Sequence, residues 1–269
     1  MLANVTSILG VLSVLVAQWA WDTSAIPTAY LCALSLFLLV RYVRQERWAR
    51  YAEGVRVMDR ALRRLKEVTE RRLFGESSRE DTLDNLQESL AAFAEAFTLV
   101  TGTDCRATIK EVYSEAVLTT GRAFREFERE LWVATVVRSD IDASRRVSQE
   151  SPDRVSENSD FAHVVTNLTP YFGADLPKAW LARTYDNSHW DEDLRRSQDF
   201  PYRSAIVWPI EVDRPGTSRD GSDEDGDDPV IAVLCIDSRK RRAFRASADV
   251  QFGSLFAHAL YPVLLFDRN

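Results

Sequence analysis

The side chains best suited to chemistry gather between residues 158 and 203. There Asn158, Asp160, Phe161, Tyr185, Asn187, Trp190, Tyr202 and Arg203 interleave flat rings with amides, a carboxylate and a guanidinium. Rings of this kind stack on a flat polar ligand while the polar groups fix its edges by hydrogen bonds. The same residues admit a plainer use, since Asp186 and Asn187 can shape a turn and the Tyr and Trp rings can fill core. No catalytic constellation accompanies them. Asp191 and Asp193 have no convincing partner for acid–base work, and the chain holds no glycine-rich phosphate loop. Binding without catalysis, and without a cofactor, is the expectation.

Metal and thiol chemistry are equally unsupported. Cys32, Cys105 and Cys235 show no metal or redox spacing, and His163, His189 and His258 are scattered, so neither a zinc site nor a Cys–His nucleophile is expected. The acidic run from Asp220 to Asp228 invites a calcium reading. An EF-hand loop starting at Asp223 would need Gly at its sixth position and Glu at its twelfth, where Asp228 and Leu234 stand. It reads instead as a solvated loop held open by like charges. Just beyond it, Arg239, Lys240, Arg241, Arg242 and Arg245 form a basic turn that can pair with that loop or face a membrane.

The elements that position these residues follow from periodicity. Trp48, Tyr51, Val55, Met58, Leu62 and Leu65 recur at steps of three and four, which predicts a helical neck. Two uses of that seam stay open: a dimeric coiled coil, or one amphipathic helix packed on its own domain or on a membrane. A second amphipathic helix carries Leu83, Leu86, Leu90, Phe93 and Phe97 and stops near Gly102. The period then changes to two, with Ala107, Ile109 and Glu111 alternating with Thr108, Lys110 and Val112, as a strand requires. Leu131 to Val137 is a second strand and residues 138 to 160 a loop. Short helices are expected at Asp160 to Val165 and Leu176 to Thr184. Tyr202 to Val212 and Val230 to Asp237 are β-rich, and a closing helix begins near Ser247. Helix, strands, cross-helices, strands and helix in that order describe an α+β fold, with terminal helices on one face of an antiparallel sheet and crossovers on the other.

In this region the sequence resembles the GAF family of sensor domains. The resemblance is carried by the strand Tyr202-Arg203-Ser204-Ala205-Ile206-Val207-Trp208-Pro209-Ile210, the strand Val230-Ile231-Ala232-Val233-Leu234-Cys235-Ile236-Asp237-Ser238, then Phe244 and the helix from Asp249. It covers roughly Leu83 to Phe266 and implies a ligand held between sheet and crossover. Ala232 stands where the family usually has Gly. The Asn-Lys-Phe-Asp-Glu signature of cyclic-nucleotide-binding members is met only at Asn158 and Phe161, with Ser159 in place of Lys and Val165 where an acidic pair is expected, so that mode is not implied. Nor do Cys105 and Cys235, read as buried in strands, imply bilin attachment or sulfoxide reduction.

The N-terminal stretch sets the location. Between Leu2 and Val40 the only charged residue is Asp22, leaving runs Leu2 to Trp21 and Thr23 to Val40, each about long enough to cross a hydrocarbon core of roughly 30 Å. They read as a membrane hairpin. A cleaved signal peptide would need a basic start, a buried helix pair would show a polar stripe, and a single span is the alternative favoured by Asn4, Thr6, Ser7, Ser13 and Gln18 in the first run. Arg41, Arg44, Arg47, Arg50 and Arg56 then place the following chain in the cytoplasm of an inner membrane crossed twice. Residues 41 to 72 hold eleven basic and five acidic side chains, so a net charge of −7 leaves −13 elsewhere. The basic part suits anionic lipid, and the acidic body gives no encouragement to nucleic acid.

The expectation is therefore a transmembrane helical hairpin at 1–43, a juxtamembrane coiled-coil helix at 44–75 and a GAF-like cytosolic sensor domain at 76–269. Such a protein would be anchored in the bilayer, bind a small molecule or partner, and signal through the neck as a homo-oligomer. The alternative is a two-span membrane effector of the bacterial immune type, forming a pore or disrupting the bilayer when its cytosolic domain clusters. A structural tether with a ligand-free domain is a third possibility.

Overall fold

A computed structural model describes residues 25–75, 78–118, 127–140, 151–211 and 229–265. The chain divides into two compact units, Met1–Ala52 and Glu53–Asn269. In the first, helix α1 (Ala25–Leu73) begins inside the second expected membrane run, with Pro27 in its first turn where no intrahelical N–H is needed. Consecutive Leu36, Phe37 and Leu38 are 62%, 60% and 52% exposed, so apolar surface is not confined to one side of this stretch. No helix among the described residues is long and apolar enough to cross a membrane. The first expected span, Leu2 to Trp21, lies outside the described residues.

The second unit starts earlier than residue 76, because the later turns of α1 belong to its core. Val57, Met58, Ala61, Leu65 and Val68 are buried there among side chains of α2 (Arg79–Thr101). At Gly54 a Cβ would come within 2.5 Å of Val100 Cγ2 and 3.2 Å of the Ala96 carbonyl oxygen, so the two helices meet at a residue without a side chain. Farther along the pair, Arg64 bridges to Glu88 at 3.2 Å. The expected intermolecular seam is therefore divided. Met58 and Leu65 are used inside the chain, while Val55 remains 53% exposed. A stripe at steps of three and four serves an intramolecular helix pair as well as a coiled coil, which is why the spacing left both uses open.

Helix α2 is fixed at both ends by its own sequence. Ser78 Oγ accepts from the Asp81 N–H at 3.1 Å while the Ser78 N–H donates back to Asp81 Oδ2 at 3.2 Å, a capping box. The Ser78 hydroxyl, donating to Asp81 Oδ2 at 2.6 Å, and then the Ser78 N–H hold the Asp81 carboxyl below its usual range. Gly102 ends the helix at φ 66°, its N–H returning to Thr98.

Among the described residues six strands follow: β1 (Cys105–Leu118), β2 (Phe127–Arg138), β3 (Asp153–Arg154), β4 (Tyr171–Gly173), β5 (Ser204–Glu211) and β6 (Val230–Ser238). They form one sheet in the order β3-β2-β1-β6-β5-β4, every neighbouring pair antiparallel. Residues 138 to 160, expected as a loop, contain β3 and a 3-10 turn at Val155–Glu157. Two residues cannot display an alternation, so β3 left no pattern to read. Between β3 and β5 run helices α3 (Ser159–Asn167), α4 (Leu176–Leu181) and α5 (Glu192–Ser197), and α6 (Asp249–Leu265) closes the chain.

Strand alternation separates two cores. Ala107, Ile109, Ile206, Trp208, Leu234 and Ile236 face α1, α2 and α6 together with Phe93, Phe97 and Phe256. Trp208 is seated there by Gly253, where a Cβ would lie 2.2 Å from Cζ2, and by its indole N–H donating to the Val250 carbonyl at 2.9 Å. The alternate residues Val112, Val207 and Val233 face the crossover, packed with Val155, Phe161 and Val164. The architecture is α+β, with helices on both faces of an antiparallel sheet.

Candidate functional site

A cavity of about 460 Å³ lies between the crossover face of the sheet and the segments above it. Its floor follows from the period of two: Thr108 and Lys110 on β1, Ala205 and Val207 on β5, and Cys235 and Asp237 on β6 all point to this side. Its walls come from α3 and from the turn before α5, which bring Asn158, Asp160, Phe161, Asn187, His189 and Trp190 over the sheet.

Charge enters in pairs. Lys110 Nζ lies 2.6 Å from Asp153 Oδ2, and Asp153 Oδ1 lies 2.6 Å from His189 Nε2, so one carboxylate on β3 ties the strand lysine to a histidine at the rim. The ammonium also sits 5.1 Å from the centroid of the Phe161 ring. Asp237 is held by Arg106 at 3.0 Å. Among the described residues no group of His, Cys, Asp or Glu side chains could hold a metal ion.

Asp160 differs from these acids. It is buried, Tyr185 Oη donates to its Oδ2 at 3.3 Å, and the Phe161 N–H donates to its Oδ1 at 3.0 Å. Both donors are neutral. Burial raises its pKa to about 6, against the pull of these two hydrogen bonds. Asn187 supports the arrangement: its amide donates to Tyr185 Oη at 3.2 Å and Tyr202 Oη at 2.8 Å, while its Oδ1 accepts from the His189 N–H. Trp190 packs among Tyr185, Phe200 and Tyr202 with ring centroids 5.5, 4.9 and 5.4 Å away.

Of the residues singled out by composition, the cavity collects Asn158, Asp160, Phe161, Asn187, Trp190 and Tyr202. Tyr185 is fully buried behind the wall, and Arg203 lies elsewhere, its guanidinium donating to the Gln198 carbonyl at 3.0 Å. Asn158 also donates to the Arg154 carbonyl and accepts from the Ser188 N–H, so it braces the wall as Asn187 does. Asp191 caps α5 by accepting from the Asp193 and Leu194 N–H groups. Lys110, Asp153, His189, Cys235 and Asp237 were missed. The alternation of Thr108, Lys110 and Val112 placed the lysine on one face, but nothing in the sequence links it to Asp153 or His189. Cys235 reaches the cavity rather than being closed off within its strand, and burial raises its thiol well above the ordinary range. Cys105 is buried and raised to about 11 by the same cause.

No family model and no curated protein matches the sequence. Among solved structures the chain is similar to the GAF domain from the Acinetobacter phosphoenolpyruvate-protein phosphotransferase, at 13% identity and a TM-score of 0.40 over 77% of this chain and 94% of that one. It is also similar to the type II free methionine-R-sulfoxide reductase from Thermoplasma acidophilum, at 13% identity and a TM-score of 0.36 over 66% of this chain and 91% of that one. Likenesses at TM-scores below 0.5 show neither ligand nor activity for this chain.

Proposed function

We propose that this chain is a membrane-anchored regulatory protein whose α+β domain binds a small molecule in the cytoplasm and passes its occupancy to α1. The carrying observation is the cavity of about 460 Å³, within the size range of small-molecule sites, walled by rings and by buried polar groups already oriented through their own hydrogen bonds. Support for the anchor comes from the exposed Leu36, Phe37 and Leu38, followed by Arg41, Arg44 and Arg47. Support for the coupling comes from α1 itself, one uninterrupted helix whose later turns lie in the domain core. Self-association through the exposed side of α1 belongs to the same proposal.

The test is cysteine crosslinking along the exposed side of α1 in the full chain, reconstituted in vesicles with and without a cell extract of small molecules. Extract-dependent crosslinking without dye leakage supports the regulator. Leakage on adding the extract would replace it with the effector.

A further inference from the structure

The chemistry of the ligand can be drawn from the charge balance around the cavity, an inference that rests on reading the cavity as a small-molecule site. Lys110 is committed to Asp153 at 2.6 Å, which also holds His189. Asp237 is committed to Arg106 at 3.0 Å, and Arg138 adds to the positive field on it. Asp160 is left over. It is 4% exposed, its hydrogen bonds come from a peptide N–H and a phenol, and among the described residues it has no ion-pair partner. Lys110 favours its charged form only weakly.

An ionised carboxylate out of water and without a cation is costly, and a ligand that brings one recovers part of that cost. Phe161, Trp190 and Tyr202 line the same cavity, and aromatic faces attract cations as carboxylates do. An anionic ligand would have to take Lys110 or Arg106 from the carboxylates already in contact with them. A neutral ligand would leave Asp160 as it is.

We infer that the cavity takes an organic cation, a protonated amine on a flat or aromatic body, with its nitrogen against the Asp160 carboxylate and its body among Phe161, Trp190 and Tyr202. The amine donates to the carboxylate and its charge faces the Trp190 and Tyr202 rings, while Asp153 keeps Lys110 from opposing it.

Ligand-observed NMR on the full chain in lipid nanodiscs tests this with three probes of one shape: phenethylammonium, phenethyl alcohol and phenylacetate. The ammonium is expected to bind about tenfold or more tightly than either other probe. Asp160→Asn, checked for an intact melting transition, is expected to erase that preference. Equal or tighter binding of the alcohol or phenylacetate to the natural chain overturns the cation and leaves the small-molecule reading standing. Binding of none of the three also overturns the cation. In that event a small molecule retained in native mass spectrometry keeps the broader reading, and a bare polypeptide removes it.

Discussion

Lys110 Nζ and Asp153 Oδ2 lie 2.6 Å apart with their side chains only 15% and 7% exposed, and this pair joins β1 to the edge strand β3 over the intervening β2. Removing one partner leaves the other charge poorly solvated. Asp153→Ala is expected to lower unfolding free energy by about 3 kcal/mol. The double variant Lys110→Met with Asp153→Leu is expected to recover most of it, because no charge is then stranded. Urea unfolding of the three proteins checks both statements, and equal losses in the single and double variants would contradict them.

Asp160 sets a pH dependence of definite sign. Its folded pKa of about 6 lies above the ordinary 3.8, so the native state holds its proton more firmly than the unfolded chain. The associated stability is fully present below about pH 4 and is lost as pH rises through about 6. Asp160→Asn keeps an acceptor for Tyr185 and removes the charge. Without ligand it is expected to be more stable than the natural chain at neutral pH, by about 1 to 3 kcal/mol, with the gap closing near pH 4. Thermal melts across that range measure it. A variant less stable at neutral pH would contradict this account of the carboxyl.

On the opposite face, Gly253 gives Trp208 its place. Gly253→Ala would put a methyl 2.2 Å from Cζ2 and 2.6 Å from Cη2, so the indole must move off its bond to Val250. A loss of about 1 to 3 kcal/mol is expected, together with a changed tryptophan emission. Unaltered melting and emission would show that α6 can shift freely.

These contrasts show where sequence patterns suffice. β5 and β6 were legible because buried residues fill both faces, and α2 because Leu86, Leu90, Phe93 and Phe97 repeat on one side before Gly102. Half of the cavity follows from the same logic, since alternation assigns Thr108, Lys110 and Val112 to one face. Asp153 and His189 stand 36 residues apart in polar sequence, and only the fold brings them together. Met58 and Leu65 were ambiguous for another reason: spacing reports a buried stripe and not the owner of the opposite surface.

The proposed anchor has its own test. Vesicle flotation of the full chain is expected to carry the protein to the lipid fraction, and a chain beginning at Glu53 is expected to stay behind. Replacing Arg41, Arg44 and Arg47 with Ala should leave flotation intact while randomising the side of the bilayer on which the domain is found, as protease protection reads it. Full-chain protein that remains with the free fraction would contradict anchoring.

The most direct measurement is native mass spectrometry of the full chain released from detergent micelles, compared with an Ala205→Phe variant whose new ring occupies the cavity floor. A bound small molecule is expected in the natural chain and is expected to be absent from the variant, with both proteins folded. A bare polypeptide in the natural chain, or the same retained mass in both proteins, would contradict the cavity as the site of binding.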